Sequence, residues 1–232
     1  MILNPNTRQG LTQALVAQVQ DLVGRLVPAS PGGDTWLGVT APHGADYIAS
    51  EATYVVAARA ALDAWHLHTG PRPQAILVAC FGDPGVWALR EVTGLPVVGL
   101  AEAAFREAQA LGPFGVVTGG AAWGPMLMRL ARGLQCAGPQ GLVAVQTVES
   151  SGGTLASDPE AAWDELARAM VSLLQAQPQL RSVILGGAAL GGWVPAVRER
   201  LGLSAARGDI AAVPPIIDSV EAGARWLLQA RR

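Results

Sequence analysis

The sequence predicts an α/β protein of two similar half-domains, each a mostly parallel sheet flanked by helices, with its site in the cleft between them. Three observations carry that prediction. Short β-rich runs alternate with helical segments of roughly ten to twenty residues along the chain, as in a parallel sheet with crossover helices. Many of the 28 glycines fall at the turns from strand to helix. The chain also repeats: Ile76-Leu77-Val78-Ala79-Cys80 aligns with Val183-Ile184-Leu185-Gly186-Gly187, and Val116-Val117-Thr118-Gly119 echoes Ile2-Leu3-Asn4-Pro5.

In chain order, Ile2-Leu3 is a brief strand ending in Asn4-Pro5-Asn6-Thr7. A helix follows, capped by Asn6 or Thr7, with Leu11, Leu15, Val19, Leu22 and Leu26 on one face. Thr35 to Val39 is the second strand, and a loop holding Pro42 and His43 leads to an alanine-rich helix over about Ser50 to His68, stopped by Pro71 and Pro73. A strand from Ala75 runs to Cys80, and Asp83-Pro84 reads as a cap and first residue of a helix reaching Glu91. Pro96 to Gly99 and Phe114 to Thr118 are strands around a helix that begins near Ala101. Gly119-Gly120 then leads into a helix through Met126 and Leu130, followed by the strand Leu142 to Thr147. Asp158-Pro159-Glu160 opens a helix burying Leu166, Met170 and Leu173, and Ser182 to Leu185 ends in the glycine-rich GGAALGG. Val213 to Ile217 closes the set, with Asp218 and Glu221 spaced as a capping box for the last helix.

Composition narrows the partners. A chain of 232 residues, half of them hydrophobic, can build one large or two small cores. The net charge of −2 gives no basic patch for nucleic acid or a membrane surface, and no run approaches the roughly 18 apolar residues of a membrane span. The two cysteines, Cys80 and Cys136, are too few for a disulfide framework and fit a reducing cytoplasm. A cytoplasmic protein with a small-molecule partner is therefore expected; a homo-oligomer is compatible with this, and nucleic acid and membranes are not expected partners.

The chemistry concentrates at Cys80, between a strand end and a helix start. That is the ligand edge of a parallel α/β sheet, and a helix N-terminus there would lower the thiol pKa. Such a base needs donors aimed at the oxygen where enolate charge develops. The amides of Phe81 and Gly82 lie beside it. Thr118, Gly119 and Gly120 form a second strand-tip nest, and Asn4 and Asn6 are donors from the first strand, in competition with turn and cap roles. Asp83 would raise the thiol pKa by charge repulsion, although capping is the favoured role. His43, in a loop, is a candidate second acid–base group against the plainer reading of a solvated histidine. No spacing of Cys, His, Asp or Glu suits a metal, and GGAALGG lacks the acidic partner of a dinucleotide loop.

Four segments carry a family resemblance: NPNT at Asn4–Thr7, ACFGDPG at Ala79–Gly85, VVGLAEA at Val97–Ala103 and PPIIDSVEAG at Pro214–Gly223. In order and spacing they resemble the aspartate/glutamate/hydantoin racemase superfamily, most closely its hydantoin and allantoin racemase branch. The resemblance implies two pseudo-symmetric half-domains, here 1–100 plus 206–232 and 101–205. It also implies cofactor-independent proton transfer at the α-carbon of an amino acid or cyclic derivative. In that family two cysteines flank the substrate. Cys80 matches the first; the position of the second is occupied by Gly187, followed by Ala188, which would leave room in the pocket wall. Cys136, in a different loop, does not replace it. Superfamily members resembling arylmalonate decarboxylase and maleate isomerase vary their cysteines, so a one-thiol lyase or cis–trans isomerase acting on a small dicarboxylate is the alternative. A non-catalytic ligand-binding relative is the third.

Overall fold

In a computed structural model that describes residues 1–27, 35–150 and 152–230, the chain forms two four-stranded parallel sheets. The first contains β1 (Ile2–Asn4), β2 (Gly38–Thr40), β3 (Ile76–Val78) and β4 (Val97–Gly99) in the order β2-β1-β3-β4. The second contains β5 (Phe114–Gly119), β6 (Leu142–Val148), β7 (Ser182–Gly186) and β8 (Ile216–Asp218) in the order β6-β5-β7-β8. The two orders are the same when β1 is matched to β5. Register makes the match residue by residue, since Leu3 pairs with Val78 and Val78 with Gly99, while Val117 pairs with Leu185 and Leu185 with Asp218. Asn4 therefore corresponds to Thr118, and Cys80 to Gly187.

Helices α1 (Gln9–Leu26), α2 (Glu51–Leu67) and α3 (Val86–Thr93) accompany the first sheet, and α4 (Leu100–Gln109), which follows β4, packs also on β7 and β8 of the second. Then come α5 (Trp123–Gly133), α6 (Gly152–Ser157), α7 (Pro159–Ala176), α8 (Val194–Ala206) and α9 (Ser219–Gln229). Strands sealed on both faces read as unbroken apolar runs, as Ile76-Leu77-Val78 does with each residue at most 1% exposed. Ser50 and Thr53 form a reciprocal capping box at the start of α2, and Asp158 caps α7 ahead of Pro159.

Several local expectations change. The buried face of α1 is Thr12, Leu15, Val19, Leu22 and Val23, and Leu26 is half exposed. Thr12 is drawn inward because its hydroxyl bonds Asn4 Nδ2 and Thr40 Oγ1. The N-cap of α1 is Arg8, not Asn6 or Thr7. The last strand begins at Ile216, later than Val213, and pairs with β7. Strand β8 completes the second sheet, while α9 packs on α1 and α4. Asp218 caps α9 through the amides of Val220 and Glu221, yet Glu221 turns to Arg225 instead of closing a box.

The largest revision concerns Asp83. Helix α3 starts at Val86 behind Gly85 in a left-handed conformation, so Asp83 caps nothing in its own segment. Its buried carboxylate instead accepts from the amides of Ala101 at 2.8 Å and Glu102 at 2.7 Å, the first turn of α4. A side chain at Gly99, the N-cap of α4, would overlap it. The second lobe solves the same problem in reverse. Asp218, register-equivalent to Gly99, caps its own helix and accepts from the Gly192 amide at 2.6 Å in the loop after β7.

Candidate active site

The strand tips of both sheets converge on one cavity of about 580 Å³, counting the space that opens to solvent. From the first lobe it receives Asn6 and Arg8 after β1, Asp46, Tyr47 and Ile48 after β2, and Ala79, Cys80 and Phe81 after β3. The second lobe contributes Thr118 and Gly119 at the end of β5, Trp123 on α5, Gly153 on α6 and the run Gly186–Leu190 after β7.

Cys80 is 8% exposed, and its amide and carbonyl fix the loop: the amide donates to Val78 O, and the carbonyl accepts from Gly82 and Asp83 N–H. Burial, and then the charge of Asp83, push the thiol above the ordinary thiol range. This reverses the expectation of a lowered pKa. The α3 terminus lies six residues on, and the Gly82 amide is spent on the carbonyl of Cys80. At neutral pH the sulfur is a thiol. Iodoacetamide should therefore modify Cys80 slowly at pH 7, with a rate still climbing at pH 9.5, where an ordinary surface thiol has levelled off; mass spectrometry of the labelled peptide would follow it.

The other predicted site residues separate into two sets. Asn6, Phe81, Thr118, Gly119, Gly187 and Ala188 meet Cys80 in the cavity. Asn6 Oδ1 accepts from Asn4 Nδ2 and the Arg8 amide, leaving Nδ2 without a partner among the described residues. Thr118 Oγ1 likewise has no partner among them, so two neutral donors remain for a ligand. The Phe81 ring packs edge-on against Phe105 with centroids 6.0 Å apart, and Gly186 has no room for a side chain beneath it. Gly187 has φ +148°, and its amide donates to Ser219 Oγ.

Asn4, Gly82, Gly120 and His43 lie outside the cavity lining. Asn4 spends its amide on Asn6, Arg8 O and Thr12, so it braces the turn. Gly82 lets Trp123 lie against the backbone, and its carbonyl accepts from Tyr54 Oη at 2.9 Å. The Gly120 amide is committed to Val148 O. His43 bonds Asp63 on α2 at 2.9 Å, and Arg59, then His43, hold that carboxyl down at about 2. Cys136 is buried elsewhere, its thiol directed at Gln109 Oε1. Among the described residues no group of three or more His, Cys, Asp or Glu could hold a metal, and no helix is long and apolar enough to cross a membrane.

Sequence reasoning missed Arg8, Asp46, Tyr47, Gly153 and Leu190. The loop after β2 opens on the same sheet edge as Cys80, which is the signal that marks Asp46 and Tyr47. Tyr47 Oη crosses to Gly119 O at 3.3 Å, and Asp46 accepts from Thr7 Oγ1.

Fold and site together define a two-lobed α/β protein with one thiol in an interlobe cavity. The Asp/Glu/hydantoin racemase family profile matches residues 1–227, and the chain belongs to that family. A hydantoin racemase from Paenarthrobacter aurescens is 30% identical over 159 residues, which is 66% of this chain and 59% of that protein. The alignment thus spans less than two thirds of that relative. The allantoin racemase of Pseudomonas fluorescens superposes with TM-score 0.80 at 26% identity, covering 98% of this chain and 89% of that one. The allantoin racemase of Klebsiella pneumoniae shares the fold with TM-score 0.80 at 21% identity, over 98% and 85% of the two chains.

A thiol at Gly187, the position equivalent to Cys80 in the second sheet, is not sterically free. A Cβ at Gly187 would sit 3.1 Å from the Leu190 side chain, on a backbone that L-residues rarely adopt. Gly187→Cys should cost roughly 1–3 kcal/mol of stability, read from urea unfolding.

Proposed function

We propose that this chain moves a proton on and off the acidic α-carbon of an amino acid or a cyclic derivative such as a hydantoin, with Cys80 as its acid–base group and no cofactor. The observation that carries the reading is the position of Cys80 in the cavity between the lobes, with Asn6 Nδ2 and Thr118 Oγ1 left free on the same lining. Those donors suit an oxygen that gains charge as the carbon loses its proton. A thiol raised by burial is a stronger base once ionised, closer in strength to a carbon acid, although little of it is ionised at neutral pH. Activity should accordingly rise with pH through and beyond the ordinary thiol range.

A second reading rests on the opposite wall. Gly186, Gly187, Ala188 and Ala189 offer no titratable side chain where Cys80 has its counterpart. A neutral thiol facing such a wall suits a one-thiol reaction, in which a carbanion formed by loss of carbon dioxide takes its proton from Cys80. An enantiopure 5-substituted hydantoin in D2O separates the two. Loss of the C5–H signal and of optical rotation, both faster than without protein, is the expected result, with water supplying the proton on the face opposite Cys80, where Gly187 and Ala188 bring no titratable side chain. Deuterium uptake with rotation retained restricts exchange to one face. Carbon dioxide from a substituted malonate without hydantoin exchange would replace the first reading with the second.

A further inference from the structure

Arg8 is the one cation among the described residues lining the cavity. It occupies the N-cap of α1 at the solvent-exposed rim of the cavity; its side chain makes no cap bond, and among the described residues its guanidinium has neither a hydrogen-bond nor an ion-pair partner. Many other arginines are committed: Arg90, Arg129, Arg200 and Arg225 all hold carboxylates. Asp46, on the same lining, is occupied by Thr7 Oγ1 and forms no ion pair with Arg8. The first turn of α1 contains no acid, so the positive end of an 18-residue helix stands beside this cation without a compensating charge. A guanidinium in such a place matches a carboxylate in shape and charge, binding through two parallel N–H···O bonds.

Resting on the function proposed above, we infer that Arg8 selects substrates carrying an ionised carboxylate besides the reacting carbon, so that the preferred substrates are acidic amino-acid derivatives or acidic hydantoins. Asn6 Nδ2 and Thr118 Oγ1 then serve the reacting group, while Arg8 holds the second, anionic end.

Isothermal titration of 5-(carboxymethyl)hydantoin against its neutral carboxamide analogue tests this, with C5 deuterium exchange measured in parallel. The wild-type protein should bind the acid at least about tenfold more tightly than the amide. Arg8→Gln should bring that ratio to within about twofold of unity, and Arg8→Lys, which keeps charge but loses the paired donors, should fall between. Thermal melting checks that each variant is folded. Equal affinities in the wild type, a preference surviving in Arg8→Gln, or binding of neither probe would overturn the inference. Exchange without acid preference removes only the role of Arg8; acid preference without exchange removes only the proposed reaction.

Discussion

Replacing Cys80 with alanine is expected to slow proton exchange at the substrate carbon by about 10³-fold while leaving the protein folded. General acid–base groups are worth roughly 10²–10⁴ in rate, and among the described residues no second side chain of comparable chemistry lines this cavity. Among the described residues the other ionisable ones on the lining are Arg8, Asp46 and Tyr47, and Tyr47 Oη is engaged with Gly119 O. Loss of one buried sulfur should cost about 1 kcal/mol, because main-chain bonds to Val78, Gly82 and Asp83 hold the loop whatever the side chain. Cys80→Ser, which keeps the volume but raises the pKa much further, should be equally slow. NMR-detected deuterium uptake and urea unfolding would measure both effects. Exchange within tenfold of the wild type would remove Cys80 from the chemistry.

Asp83→Ala should be the most damaging substitution for stability. It strands the buried amides of Ala101 and Glu102 and opens a void over Gly99. An orphaned buried donor costs about 1–3 kcal/mol, so a loss of about 3 kcal/mol is expected, with Asp83→Asn, which retains one acceptor, losing less. The carboxyl also gives the protein a pH signature. Burial pushes it up to about 7, against the opposing pull of the two amides. The folded chain therefore holds this proton more tightly than the unfolded one, whose carboxyl titrates near its ordinary value of about 3.9. Stability contributed by the group is complete at low pH and declines as pH rises from about 4 to about 7, by at most about 1.4 kcal/mol per unit. Asp83→Asn should flatten that slope. Removing the charge should also shift the pH dependence of exchange to lower pH, since Asp83 helps hold the Cys80 thiol high.

The order of elements was legible in the sequence because strands closed on both faces are apolar runs, and the glycines punctuate them. Equivalence of Cys80 with Gly187 was legible for a related reason: both follow matched strand residues at the same distance. The strand over Ile216–Asp218 carried no such mark, since an apolar run does not state which sheet it joins. Asp83-Pro84 misled because it satisfies the local rule for a helix start, whereas Asp83 itself sits at φ +61° and finds its donors 18 and 19 residues away. The direction of the Cys80 pKa was hidden similarly: a nearby helix can be read from residues, but the burial that outweighs it arises only when two lobes close. Arg8, Asp46 and Tyr47 follow no spacing rule and became visible only through the sheet edge they share.

The mirrored placement of one acid per lobe has a consequence for transplanting pieces between the halves. In one lobe the accepting carboxylate comes from the loop after the third strand and the fourth strand ends in glycine; in the other the carboxylate stands at the end of the fourth strand and the loop after the third strand supplies the Gly192 amide. Grafting either loop alone onto the opposite half would bring two carboxylates into one space, or leave the helix end with none. The smallest exchangeable module is thus the loop together with the adjoining strand end, and chimeras cut at that seam should refold where finer grafts do not.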